Sequence, residues 1–116
     1  MLVVRKEQMA AFEQSLFRRW VMDHLRRFFP AQCERLGPKG LIELVDHGVA
    51  HAREHGFHAE RDVCRYLDIM VVFGRTFDRD LPWAKEILED ARLVLPGMRM
   101  DLLHDVAVEH EGSLTV

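Results

Sequence analysis

The chain has 116 residues, of which 48% are hydrophobic and 30% are charged, as is typical of one globular domain and not of a disordered segment. The net charge of −3 argues against a nucleic-acid partner, because such proteins usually carry a basic surface. Two cysteines are too few for a disulfide scaffold, so Cys33 and Cys64 are predicted to be free and buried in a reducing, cytoplasmic protein. Charge interrupts the first apolar residues at Arg5, and no apolar run is long enough for a bilayer, so neither a signal peptide nor a membrane partner is expected.

The first predicted helix, residues 5–29, carries two apolar stripes whose centres lie about 130° apart around the helix axis. The stripes are Met9, Phe12, Leu16 and Trp20, and Phe17, Val21, Leu25 and Phe28. A surface helix needs only one such stripe, so either the domain wraps this helix on both sides, or one stripe docks a partner or a second copy of the chain. The first stripe is favoured for docking because Trp20 has acidic and basic neighbours, a mixture typical of interface anchors. The predicted partner-binding residues are Met9, Phe12, Leu16, Trp20, Asp23 and Arg27.

Proline and glycine divide the next segment. Pro30 either stops the first helix or opens a short helical turn over 30–36, which Gly37 and Pro38 end. A second helix is predicted over 39–55, and its core stripe is Leu41, Val45, Val49 and Ala52. His47, His51 and His55 recur every four residues along it, a spacing at which histidines can share a metal ion. No cysteine or signature carboxylate accompanies them, so they are predicted to face solvent, and no metal site is expected.

Residues 63–74 are apolar almost all round a helix, which predicts a central helix over about 60–74 that neighbours bury on several sides. The run is too short to cross a bilayer, which requires about 20 apolar residues. Asp68 interrupts the run, and we predict that it pairs with an arginine such as Arg65 or Arg75.

The remaining chain predicts two further helices. Residues 75–80 read as a polar loop in which Phe77 turns into the core, and a helix begins near Pro82 with Trp83, Ile87, Leu88 and Ala91 on its inner face. A last helix is predicted over 98–110, followed by a frayed tail over 111–116. The fold class is therefore all-α: one domain, residues 1–116, built as a compact bundle of about five helices around the central helix 60–74.

The sequence contains none of the short motifs that mark common enzymes. It lacks GxxxxGK[ST], GxGxxG and a G-x-S-x-G nucleophile elbow, and its serines have no neighbouring base pattern. We therefore expect no catalytic residues, no cofactor and no enzymatic activity. These observations describe a helical module with surface left over for a partner.

A longer pattern of core and loop residues spans roughly positions 9 to 107. Its parts are Phe28-Phe29-Pro30-x-x-Cys33-x-x-Leu36-Gly37, Gly48-Val49-x-x-Ala52-x-x-x-Gly56-Phe57, Asp62-Val63-x-x-Tyr66, and Phe73-Gly74-x-x-Phe77-Asp78-x-Asp80-Leu81-Pro82-Trp83-Ala84. This pattern resembles a family of small helical bacterial proteins that are encoded beside the spike genes (VgrG and PAAR) and effector genes of type VI secretion systems.

The resemblance implies a non-catalytic accessory protein, an adaptor or co-chaperone that helps a chaperone hold an effector and load it on the PAAR spike. Its expected partner is a protein: a chaperone, an effector or a PAAR spike protein. One alternative is an immunity protein that binds and inhibits a cognate secreted toxin. Another is a helical regulator that touches nucleic acid through Arg18, Arg19, Arg26 and Arg27, although these arginines are also typical of a solvated helix face.

Overall fold

The structure is a computed structural model that describes residues 6–112, with side chains described from residue 13 onward. Its helices are α1 (Lys6–Phe28), α2 (Pro30–Glu54), α3 (Glu60–Phe73), α4 (Phe77–Asp80), α5 (Pro82–Leu88) and α6 (Pro96–His110). The described residues contain no strand, and the predicted all-α single-domain bundle is confirmed. Residues 6–112 form six helices where about five were predicted, because residues 77–80 form the short helix α4 within the predicted polar loop.

Helix α3 is the central element, as predicted. Nine of its residues are buried, from Asp62 to Val71, and Leu67 and Ile69 have no exposed surface. Helix α2 packs against one side and α6 against another, while α1 and α4 make smaller contacts with it. Two arginines of α3, Arg61 and Arg65, reach Asp101 of α6 at 2.9 and 2.8 Å.

Helices α2 and α3 pack tightly against each other at Gly48. This glycine is buried, and a Cβ atom at its position would overlap the Leu67 side chain and lie 2.7 Å from Met70 Sδ. Glycine lets the side chains of α3 pack directly on the α2 backbone, because any side chain at this position would occupy the space that Leu67 fills.

Two bends in the chain follow from proline and glycine. Pro30 disfavours helical geometry at the preceding residue, so Phe29 leaves the α1 path with φ −132° and ψ 56°, and its ring turns into the core. Within α2, Gly37 has φ 73° and ψ 168°, which splits the element into two helical segments before Pro38. The predicted short turn over 30–36 and its glycine terminator are both present.

The C-terminal part of the bundle begins with α4, which buries Phe77, and Trp83 of α5 packs against the core as predicted. The Trp83 ring meets Phe73 edge-on at 5.3 Å between centroids and stacks on His110 at 4.8 Å. The predicted core role of Ala91 is wrong: α5 ends at Leu88, which leaves Ala91 exposed, and Ala84 is buried instead. Of the predicted tail 111–116, residues 113–116 lie outside the described part of the chain.

Both cysteines are free and buried, as predicted. None of the helices over residues 6–112 combines the length and the apolar character that crossing a bilayer requires.

Candidate functional site

Helix α1 exposes several large apolar side chains. Leu16 is 51% exposed, Trp20 56% and Phe28 41%. We call these three residues the outer face. Large apolar side chains that cluster on the surface of a small domain mark interaction sites more often than scattered ones do.

A buried stripe of α1 holds the helix on the bundle. Val21 and Leu25 have no exposed surface, and Phe17 is half-buried against the core. Of the two predicted stripes, the one built on Val21 and Leu25 is therefore the core stripe, and the one containing Leu16 and Trp20 is exposed. The outer face is consequently presented on a helix whose position is fixed by buried contacts.

Aromatic rings run along α1 in a connected row. Trp20 stacks between Phe17, at 6.4 Å between centroids, and His24, at 5.6 Å. His24 in turn lies 5.0 Å from Phe28, and the Arg27 guanidinium sits over the Phe28 ring at 5.4 Å. Because each ring is braced by its neighbours, Trp20 loses less rotamer freedom on binding than an isolated surface tryptophan would.

Two hollows flank Trp20. The larger one, about 480 Å³, is lined by Glu13, Leu16, Phe17, Trp20, Glu60 and Arg61. The smaller one, about 240 Å³, is lined by Trp20, Asp23, His24, Arg27 and Phe28. Each hollow combines an apolar wall with charged residues at its edge, which is the composition of a protein interface with an apolar centre and a polar rim.

The structure brings four of the six predicted partner-binding residues to these hollows. Leu16 and Trp20 line the larger one, and Trp20, Asp23 and Arg27 line the smaller one. The side chains of Met9 and Phe12 lie outside the described residues. Sequence reasoning assigned Phe28 to the core stripe and did not include His24, although both continue the four-residue spacing from Trp20.

Two arginines of the basic patch on α1 face acidic side chains. Arg18 lies 2.9 Å from Asp46 of α2, and Arg26 lies 3.8 Å from Asp23. These acidic neighbours reduce the net positive charge on this part of α1. A nucleic-acid partner would need that positive charge to bind phosphate groups here.

A polar cluster lies beneath the outer face, between α1 and α3. His24 Nε2 is 2.9 Å from Asp68 Oδ1, and the Sγ atom of Cys64 completes a group of three ligand atoms that all lie within 4.8 Å of one another. We call His24, Cys64 and Asp68 the inner polar cluster. The predicted pairing of Asp68 with Arg65 or Arg75 is wrong, because His24 of the neighbouring helix is its partner and Arg65 turns to Asp101.

Burial changes the pKa of two members of the inner polar cluster, Asp68 and Cys64. It raises the pKa of Asp68 to about 6, against the opposing effects of His24 and Arg65. Burial also raises the pKa of the Cys64 thiol to about 12, and the charge of Asp68 acts in the same direction. Cys64 is therefore a neutral thiol at pH 7 and not an activated nucleophile.

The histidines of α2 form a second polar cluster, so the prediction that they face solvent is wrong. All three are only partly exposed. Asp78 Oδ2 lies 3.0 Å from His55 Nε2 and 3.7 Å from His51 Nδ1. The buried Phe77 next to Asp78 anchors α4, because its ring packs on Tyr66 of α3 at 5.0 Å between centroids.

Asp78 is held as a carboxylate within this second cluster. Burial opposes its ionisation, but the hydrogen bond and charge of His55, together with His51 and Arg79, outweigh burial and lower the pKa of Asp78. His47 stacks on His51 at 4.1 Å between centroids, and its Nε2 atom is buried with no hydrogen-bond partner among the described residues. Burial first, and then the nearby His51, lower the pKa of His47.

A separate group of exposed apolar side chains lies near the start of α6: Val94, Leu95, Met98 and Leu102. Leu102 is 41% exposed, although the adjacent Leu103 has no exposed surface. This second group offers a matched surface against which the outer face can be tested.

No protein-family model matches the chain, and neither a curated protein nor a solved structure matches it.

Proposed function

We propose that the chain is a non-catalytic adaptor or co-chaperone of type VI secretion that binds one protein partner through the outer face of α1. In this proposal the partner is the chaperone, the effector or the PAAR spike protein, and binding assists loading of the effector on the spike. The sequence pattern over residues 9–107 supports the secretion context. A cytoplasmic location belongs to the same proposal, and the two free thiols support it.

The exposure of Trp20 is the observation that carries the binding role. Its side chain is 56% exposed, although the same helix buries Val21 and Leu25 completely. Tryptophan in a desolvated, braced position is among the residues that contribute most to protein–protein affinity. The occupant that fits is an apolar side chain of the partner, seated in the hollow beside Leu16 and Trp20, with charged residues on its flanks facing Glu60 and Arg61.

The expected contribution of Trp20 follows from its exposed area. A buried aromatic side chain covers about 150–250 Å², so the exposed fraction of Trp20 corresponds to about 80–140 Å². At about 25 cal/mol per Å², complete burial of that area stabilises a complex by about 2–3.5 kcal/mol. Trp20→Ala should therefore weaken binding by about 30- to 300-fold.

The experiment measures binding of the purified chain to three separately purified proteins: the chaperone, the toxin domain of the effector and the PAAR spike protein. Isothermal titration with wild type, Trp20→Ala and the control Met98→Ala identifies both partner and surface, since Met98 is exposed to a similar degree on α6. Binding to the chaperone or spike that falls with Trp20→Ala but not with Met98→Ala supports the proposal. Binding of the toxin domain with loss of its activity would instead identify an immunity protein, and binding to none of the three would refute the secretion role.

A further inference from the structure

We propose that His24, Cys64 and Asp68 form a binding site for one divalent transition-metal ion of the zinc class. This inference goes beyond the proposed partner-binding function and does not depend on it. It concerns the inner polar cluster between α1 and α3, and not the histidines of α2.

The chemistry of the three donors selects the class of ion. A thiolate, an imidazole and a carboxylate are the three side-chain ligands that Zn²⁺ takes in proteins. Magnesium and calcium prefer oxygen ligands throughout, so a sulfur and a nitrogen at the same point favour zinc or cobalt over them. A bound divalent cation also deprotonates a coordinating thiol, so the neutral state of the free Cys64 thiol is no obstacle.

The geometry is close to what a tetrahedral ion requires. With bonds of about 2.0 Å to nitrogen and oxygen and about 2.3 Å to sulfur, ligand atoms lie about 3.3–3.5 Å apart. In the structure His24 Nε2 and Asp68 Oδ1 are 2.9 Å apart, and all three ligand atoms lie within 4.8 Å of one another. The ion would fit if His24 Nε2 and Asp68 Oδ1 moved about 0.4 Å further apart and the Cys64 side chain rotated toward them.

The supporting backbone holds the ligands on regular helices. Cys64 and Asp68 are four residues apart on α3, so they project from the same side of that helix. His24 comes from the C-terminal part of α1, where Val21 and Leu25 hold the helix against the bundle. Metal sites on helices keep their geometry better than sites on loops.

The surroundings leave room for a positive charge and for a fourth ligand. Cys64 and Asp68 are 6% and 7% exposed, and the nearest arginine on α3, Arg65, is engaged by Asp101 at 2.8 Å. The His24 side chain keeps 17% of its surface exposed, so water or a partner's side chain can reach the ion from that side. Three protein ligands with one open position is the arrangement of zinc sites that exchange a ligand.

The ion would also connect two helices that otherwise touch little. Helix α1 packs mainly on α2 and makes a smaller contact with α3. Coordination by His24 from α1 and by Cys64 and Asp68 from α3 would cross-link them directly beneath Trp20.

The test is a titration of the chelator-treated full chain with Co²⁺, under a non-thiol reductant, followed by displacement with Zn²⁺. We expect one Co²⁺ per chain, with the near-ultraviolet charge-transfer absorption that only a cobalt–thiolate bond produces. Zn²⁺ should abolish the absorption and raise the melting temperature. Absence of the thiolate absorption in the wild type would overturn the proposal without recourse to any variant.

Three variants assign the ligands. Cys64→Ser should lose the charge-transfer absorption and weaken binding at least about tenfold, and His24→Gln should weaken it to a similar extent. Cys33→Ser is the matched control, because Cys33 is also buried but lies outside the cluster, and it should leave the spectrum unchanged. Co²⁺ binding that lacks the thiolate absorption, or that survives Cys64→Ser unchanged, would place the ion elsewhere, for instance on the α2 histidines, and would refute the proposed site. If Cys64→Ser does not fold, the wild-type spectrum and His24→Gln decide between these outcomes.

Discussion

The packing of α2 on α3 leads to a prediction about Gly48, where one added β-carbon decides whether a substitution stabilises or destabilises the fold. Gly48→Ala should destabilise the fold although alanine is the better helix former. The new methyl group would overlap Leu67 and approach Met70, and forcing extra atoms into a packed core costs about 1–3 kcal/mol. The gain in helix propensity is about 1 kcal/mol, so the net change is a loss of up to about 2 kcal/mol.

Gly40→Ala on the same helix is the matched control. A Cβ atom at Gly40 would meet its nearest neighbour, Leu36 Cβ, at 3.4 Å, which is ordinary contact. Only the gain in helix propensity then changes the stability, and Gly40→Ala should stabilise the domain by up to about 1 kcal/mol.

Urea unfolding followed by circular dichroism gives both free energies of unfolding under one set of conditions. The two variants should shift the midpoint in opposite directions, with equal slopes. A stabilising Gly48→Ala would contradict the close approach of α2 to α3, and with it the packing that places Leu67 at the centre of the core.

Further predictions concern burial and charge. Leu67→Ala should lower the free energy of unfolding by about 2–5 kcal/mol. Trp20→Ala should lower it by at most about 2 kcal/mol, because more than half of the Trp20 surface is already exposed; chemical denaturation of both variants checks this. The lowered pKa of Asp78 contributes stability that is complete above the pKa of an unfolded aspartate, about 4, and is lost as the pH falls through the lower folded value. Asp78→Asn should therefore cost about 1–3 kcal/mol at neutral pH and flatten the acid limb of stability plotted against pH. Because burial raises the pKa of both thiols, Cys33 and Cys64 should react with a disulfide reagent at pH 7 far more slowly in the native chain than in denaturant; equal rates would contradict their burial.

The helices themselves were largely predictable, because their determinants are local. Pro30 and Pro82 each stand at the first position of a helix, and the run from Val63 to Phe73 is apolar on almost every side. The last helix was predicted from residue 98, whereas α6 begins two residues earlier at Pro96. Helix α4 was not predicted, because four residues are too few to show helical periodicity. Only Phe77, which was expected to turn into the core, indicated ordered structure there.

The polar clusters were not predictable, because their partners are distant in sequence. His24 and Asp68 are 44 residues apart, and His55 and Asp78 are 23 apart. Periodicity shows which side of a helix is apolar, but it does not show which residue of another helix faces that side. This is why Asp68 was assigned to an arginine on its own helix or just beyond it, and why the α2 histidines were assigned to solvent.

The outer face was only partly predictable from the sequence. The two stripes on α1 were visible from spacing alone, but their burial depended on how the helix is rotated on the bundle. Phe28 could not be placed correctly, since the bend at Phe29 and Pro30 turns the next ring inward and leaves Phe28 at the surface.

His24 contacts both the outer face and the inner polar cluster, and this has a thermodynamic consequence. One side of its imidazole stacks on Trp20 at 5.6 Å, and its Nε2 atom meets Asp68 at 2.9 Å. A partner that reorients Trp20 and an ion that reorients His24 would therefore act on the same ring. If the ion changes the affinity for the partner by some factor, the partner must change the affinity for the ion by that same factor, so each ligand would report on the presence of the other.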